Sequence, residues 1–131
     1  APSDCMSAYD SAFKCKVVEL ILARELHQAL TVLSEHFEVD VPKVKVGLPK
    51  KYRNKAGCYS SKDKTIYVMN QEALENPFII LHEFYHHLRT HGGKHRGTEK
   101  YADKFAEEFT AAFQMSRRYS FSVSYGRQKE L

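Results

Sequence analysis

Apolar positions in the first third of the chain recur at intervals of three and four residues, the spacing of one face of an α-helix. Between residues 7 and 37 this stripe comprises Phe13, Val17, Leu20, Ile21, Leu26, Leu30, Leu33 and Phe37. The pattern predicts one continuous helix that buries the stripe and serves as scaffold. The two histidines in this region, at 27 and 36, have no partner at ligand spacing and are expected to be surface residues.

The middle of the chain changes to an alternation of apolar and polar residues, which is typical of strands. Residues 41–46, VPKVKV, alternate up to Gly47 and predict one strand. Residues 57–69 form a second extended region, in which the turn-forming run SSKDK at 60–64 predicts a β-hairpin. We therefore expect a small, mainly antiparallel sheet of two or three strands.

Two further helices follow. Asn76 and Pro77 supply an N-cap side chain and a proline at the first helical position, and the glycines at 92 and 93 predict the end of that helix. Thr98 is a suitable N-cap for the next helix, whose apolar stripe is Ala102, Phe105, Ala106, Phe109, Ala112 and Phe113. The predicted fold class is α+β: an N-terminal helix, the small sheet and two more helices.

Length and composition limit the possible classes of protein. With 131 residues and 43% hydrophobic residues, the chain fits a single domain, in which residues 7–115 form the core. No apolar run is long enough to span a membrane. Three cysteines without a CxxC pair favour a reducing compartment, so we expect a cytoplasmic location. Residues 116–131 are expected to be a tail or a segment covering a cleft, because residues 120–131 alternate like a strand.

The first of the two later helices contains HEFYH at residues 82–86. His82 and His86 lie one turn apart on the same helix face, so both can direct a ring nitrogen to one metal ion, with Glu83 beside them. Zinc lowers the pKa of the water it binds to near 7, and a neighbouring carboxylate can transfer the proton to a leaving amine. Because HExxH also arises by chance, the assignment depends on a third ligand.

Candidates for the third ligand downstream of this motif are His87, His91, His95, Glu99, Asp103, Glu107 and Glu108. The histidines among them fall away from the metal-facing side of the helix or in a glycine-flanked loop. Glu99 opens the last helix, and two helices joined by a short loop can pack antiparallel, which returns this residue towards the motif. We therefore predict Glu99 as the third ligand. Asp103, one turn later, is expected to accept the N–H of a ligating histidine and fix its tautomer.

HEFYH followed by EKYAD at residues 99–103 resembles the HExxH and ExxxD arrangement of gluzincins, including thermolysin-type peptidases and the small minigluzincins. TEKYADKFAEEF at 98–109 is also similar to a segment of ImmA/IrrE-like metallopeptidases, and SprT-like proteases share the minimal layout. The resemblance covers about residues 7–115. It implies a minimal zincin fold, catalysis by Glu83, support from Asp103, and zinc bound by His82, His86 and Glu99. The candidates for an oxyanion-stabilising residue are His91, His95, Tyr119 and Tyr125.

These features predict a zinc-dependent endopeptidase, with one Zn2+ per chain and a peptide or protein substrate. In the families that the chain resembles, an edge strand above the metal pairs with the extended substrate. The strand expected to have this role comprises Thr65, Ile66, Tyr67 and Val68. Intact Glu83 favours an enzyme, since a purely structural zinc site needs the ligands but not this carboxylate.

The alternative is a non-catalytic, zinc-containing module that recruits nucleic acid or a protein partner. Net charge is +4, and the excess is concentrated in an acid-free segment that carries Lys43, Lys45, Lys50, Lys51, Arg53 and Lys55. Such a cluster can contact phosphates, although no nucleic-acid-binding motif accompanies it. The pattern leaves the substrate sequence and the oligomeric state open.

Overall fold

The structure is a computed structural model. It describes the backbone of residues 2–52, 54–92 and 99–130, and the side chains of residues 11–51, 54–90 and 99–117. Within these ranges no helix is both long enough and apolar enough to cross a membrane. The α+β class predicted from the sequence is confirmed, since the described residues form four α-helices and one three-stranded sheet.

The N-terminal region forms two helices, α1 (Pro2–Leu22) and α2 (Leu26–Phe37), so the prediction of one continuous helix is wrong. The chain reverses at Arg24, which adopts a left-handed backbone conformation with φ 66°. The N–H groups of Arg24 and Glu25 donate to the carbonyls of Ile21 and Leu20, so these two carbonyls at the C-terminal end of α1 have hydrogen-bond partners. Glycine usually occupies this left-handed position. Because arginine stands there in this chain, the sequence does not indicate that α1 ends.

The sheet contains β1 (Lys43–Val46), β2 (Gly57–Ser60) and β3 (Thr65–Val68) in the order β1-β3-β2. The hairpin is confirmed, because β2 and β3 pair antiparallel. However, β1 pairs with β3 in parallel, so the sheet is mixed rather than mainly antiparallel. The exposed Lys43 and Lys45 lie on β1, an edge strand, where charged side chains discourage further strand pairing.

The expectation that β3 is an edge strand available to substrate is wrong. β3 is the central strand and bonds to both neighbours, so its backbone groups are already used. The burial of β3 fits its central position in the sheet, since the side chains of Thr65, Ile66 and Val68 are buried and that of Tyr67 is partly exposed. Substrate pairing along this sheet would instead require the outer edge of β1 or β2.

The remaining helices are α3 (Pro77–Gly92) and α4 (Glu99–Glu130), and they pack against each other. α1 also contacts α4, while α3 contacts β2 and β3. A hydrophobic core connects these elements through Val17, Ile21, Leu30, Leu33, Ile66, Val68, Ile80, Phe84, Leu88 and Phe109. α3 therefore lies between the sheet and α4, and it contacts the sheet on one side and α4 on the other.

The C-terminal segment continues α4 as far as Glu130, so the expected strand-like conformation of residues 120–131 is wrong through Glu130. A helix rises about 1.5 Å per residue, which places residue 120 about 30 Å along the axis from Glu99. A straight α4 thus carries this segment away from the helix end at which Glu99 lies.

Candidate metal centre

The start of α3 fixes the direction in which the HExxH side chains point. Asn76 Oδ1 accepts hydrogen bonds from the backbone N–H groups of Phe78 at 3.0 Å and Ile79 at 3.3 Å, and Pro77 is the first helical residue. This is the N-cap and proline arrangement predicted from the sequence. It sets the phase of the helix one turn before His82, so that His82 and His86 share the face that looks towards α4 and a cavity.

Glu99, the first residue of α4, brings its carboxylate to both histidines. Its Oε2 lies 2.8 Å from His82 Nε2, and its Oε1 lies 3.0 Å from His86 Nε2. One ligand atom from each of the three side chains can be chosen so that all lie within 4.8 Å of one another. Two imidazoles and a carboxylate are a donor set that suits Zn2+ in sites that keep a fourth position open. The three residues therefore fit a metal centre in number, type and separation.

Asp103 fixes the orientation of one histidine from behind. Its Oδ1 lies 2.8 Å from Nδ1 of His82, the ring nitrogen opposite to the one that faces Glu99. When Nδ1–H donates to this carboxylate, the neutral ring leaves the lone pair of Nε2 for a metal ion. The arrangement matches the carboxylate and histidine pairing found behind metal ligands, as the spacing of Glu99 and Asp103 led us to expect.

Glu83 is a buried carboxyl group next to the histidine pair. Its residue is 7% exposed, and its Oε2 lies 3.9 Å from His82 Nε2. Burial raises the pKa of Glu83 to about 7, and the nearby negative charge of Glu99 adds to this effect, while His82 and Lys55 oppose it. A carboxyl group with a pKa near neutral can both accept and release a proton under ordinary conditions.

The electrostatics of the proposed ligands favour their metal-binding forms. Burial lowers the pKa of His86, which favours the neutral imidazole that can coordinate a metal. Burial acts to raise the pKa of Glu99, but the charges of His82 and His86 outweigh it and lower the pKa overall. Glu99 is therefore held as a carboxylate.

A cavity of about 540 Å³ lies between α3, α4 and β2, and one of its walls is formed by His82, Glu83, His86, Glu99 and Asp103. The facing wall includes residues 55–59, which precede and form most of β2, and no residue of β3 lines the cavity. Gly57 allows the close approach, because a Cβ added there would lie 3.1 Å from Ile79 Cγ2, 3.1 Å from the Tyr67 carbonyl oxygen and 3.4 Å from Glu83 Cγ. β2, rather than the predicted β3, is thus the strand beside the candidate site.

The third histidine of the motif region, His87, faces the interior. Its ring is fully buried, with Nδ1 2.6 Å from Tyr59 Oη and Nε2 2.7 Å from the Asp40 carbonyl oxygen. Since a carbonyl only accepts, Nε2–H donates to Asp40, and the Tyr59 hydroxyl, which can donate or accept, is hydrogen-bonded to Nδ1. His87 thus connects α3 to β2 and to the chain before β1. Sequence reasoning placed it off the metal face but gave no sign of this contact.

The roles predicted for several other residues are not tested by the structure. The oxyanion candidates His91, His95, Tyr119 and Tyr125 have side chains outside the described ranges, as do Thr98 and Arg53. In the basic segment Lys43, Lys45, Lys50, Lys51 and Lys55 are exposed, and Lys55 also lines the cavity. Neither lysine exposure nor position identifies a nucleic-acid partner.

Comparisons of the chain with models of protein families, with curated proteins and with solved structures give no match.

Proposed function

We propose that this protein is a zinc-dependent endopeptidase of the gluzincin type, with one Zn2+ bound by His82, His86 and Glu99. The observation that carries the proposal is the convergence of these three ligand atoms within 4.8 Å, with buried Glu83 3.9 Å from one of them. A surface group of histidines and acids would not require a buried carboxyl group. The cost of burying Glu83 is more easily understood if that group performs a reaction.

Each residue of the site has a separate role in the proposed hydrolysis. A zinc ion held by His82, His86 and Glu99 would supply Lewis acidity towards water and towards the carbonyl of the substrate. Glu83 takes a proton from the attacking water and delivers it to the nitrogen of the leaving amine. Asp103 holds Nδ1–H of His82, which keeps that ring in the tautomer and orientation suited to metal binding.

The substrate that the cavity fits is an extended peptide. β3 occupies one edge of β2, and no other strand among the described residues pairs with its second edge. A peptide added along that edge would form backbone hydrogen bonds while its scissile bond faced α3. We further propose a cytoplasmic location, because Cys15 and Cys58 are free thiols.

The proposal is tested by comparing peptide cleavage by zinc-loaded wild type and zinc-loaded Glu83→Gln. Glutamine retains the size of the side chain but cannot accept the proton, so cleavage of a broad peptide library should fall by about 10²- to 10⁴-fold. Glu107→Gln, an exposed change of the same kind on α4, should cleave as the wild type does. Zinc content should be equal in all three proteins.

Two outcomes would contradict the proposal. Fully zinc-loaded wild type that cleaves no peptide in the library would support a non-catalytic module, whose partner could then be sought through the exposed basic segment. Equal cleavage by wild type and Glu83→Gln would assign the activity to a different group or to a contaminant.

A further inference from the structure

Arg89 lies one turn beyond His86 on α3 and lines the same cavity as the metal-binding side chains. Its Nε is a buried nitrogen that has no hydrogen-bond partner among the described residues. Among the residues that the structure describes, no carboxylate forms an ion pair with this guanidinium. Arg89 is therefore a partly buried cation whose hydrogen-bonding capacity is not fully used by the fold.

Such a group is costly unless something pairs with it. Removing a charge from water is unfavourable, and an unsatisfied buried donor adds to that cost. Guanidinium presents its five donors in a planar fork that matches the two oxygens of a carboxylate. The Nε atom is fully buried, so a carboxylate that entered the cavity would pair with the terminal nitrogens of the guanidinium.

The acidic side chains that line the cavity are engaged with other residues, so a partner for Arg89 would come from a bound molecule. Of the acidic side chains in the lining, Glu99 contacts both histidines, Asp103 is bonded to His82, and Glu83 is buried beside them. A bound divalent cation would offset two of these negative charges. The same walls also carry Lys55, so the cavity with its metal would attract an anionic group.

We propose that Arg89 binds a carboxylate of the substrate close to the bond that is cleaved, which rests on the proposed peptidase function. Arg89 is three residues from His86, about 4.5 Å along the helix axis, and an extended peptide advances about 3.4 Å per residue. The carboxylate would thus belong to a residue within about two positions of the scissile bond. It is either an acidic side chain or the carboxylate at the C-terminus of the peptide.

Binding can be measured without cleavage by using zinc-loaded Glu83→Gln and fluorescently labelled peptides of one parent sequence. The first peptide has glutamines and an amidated C-terminus, the second carries glutamate near the centre, and the third has a free C-terminal carboxylate. Fluorescence anisotropy at fixed ionic strength gives each dissociation constant. A hydrogen-bonded charge pair predicts about 10- to 100-fold tighter binding of one carboxylate peptide than of the neutral peptide.

The tighter binding of carboxylate peptides than of the neutral peptide should disappear when Arg89→Gln is added to the Glu83→Gln protein. Arg89→Lys, which retains the charge but not the fork, should keep part of it. Lys16→Gln on the exposed side of α1 lowers the net charge by the same amount and should leave the preference intact. Tighter binding of the second peptide identifies an acidic side chain as the ligand, and tighter binding of the third identifies the C-terminus.

The proposal is overturned if all three peptides bind equally, or if Arg89→Gln and Lys16→Gln reduce the preference to the same extent. These results are distinct from a failure of the peptidase function. Cleavage by the wild type without carboxylate preference would remove the role of Arg89 alone. An Arg89-dependent preference in a protein that cleaves nothing would retain the carboxylate site and reject the enzyme.

Discussion

The buried ring of His87 should contribute substantially to stability, independently of any metal. Its Nε2–H donates to the Asp40 carbonyl at 2.7 Å and its Nδ1 is hydrogen-bonded to the Tyr59 hydroxyl at 2.6 Å, so it connects three separate segments of the chain. Tyr59→Phe removes the hydrogen bond to the buried Nδ1 of His87, which should cost about 1–3 kcal/mol. His87→Leu removes both hydrogen bonds and should cost about 2–4 kcal/mol.

Urea unfolding of the zinc-free protein measures these changes, provided that the denaturant dependence stays the same among the variants. Tyr67→Phe is a matched control, because the Tyr67 hydroxyl has no hydrogen bond to any described residue, and it should change stability by less than about 0.5 kcal/mol. The double variant Tyr59→Phe/His87→Leu should lose less than the sum of the single changes, since both remove the same bond. Strict additivity, or a cost of His87→Leu below about 1 kcal/mol, would refute the reasoning.

Three further predictions concern the metal centre and its walls. Asp103→Ala should weaken zinc affinity about 10- to 100-fold in a competitive chelator titration, because His82 loses its orienting partner. Gly57→Ala should destabilise the protein by about 1–3 kcal/mol in thermal unfolding, because the added methyl would lie 3.1 Å from Ile79 Cγ2. In the zinc-free protein, burial raises the pKa of Glu83 to about 7, so the folded state holds a proton that the unfolded state releases at lower pH. Stability relative to Glu83→Gln should therefore fall by up to about 3 kcal/mol as the pH rises from about 4.5 to 7.5.

The parts of the site that depend on local signals could be predicted from the sequence. The start of α3 follows from one N-cap side chain and one proline, and the four-residue spacing then places His82 and His86 together. Glu99 required one further step, the return of the chain through a short connection, and its carboxylate does lie at 2.8 and 3.0 Å from the two imidazoles. Helix phase and a short connection are both encoded within a few residues.

The features that were missed depend on contacts between distant residues. Strand order is one, because the sequence of β3 does not reveal whether one or both of its edges are paired. Local geometry is another, since the left-handed Arg24 ends α1 without the glycine that marks such positions. The role of His87 could not be read from its neighbours either, because its partners Tyr59 and Asp40 are 28 and 47 residues away.

The zinc content of purified protein after dialysis tests the central claim most directly, when the wild type is compared with Glu99→Ala and with the exposed α4 control Glu107→Ala. We expect about one zinc per chain in the wild type and in Glu107→Ala, and a sharp loss in Glu99→Ala, because only three protein side chains are proposed to hold the ion. His82→Ala and His86→Ala should lose zinc in the same way. Full zinc retention by Glu99→Ala, or a wild type that binds none, would contradict the account.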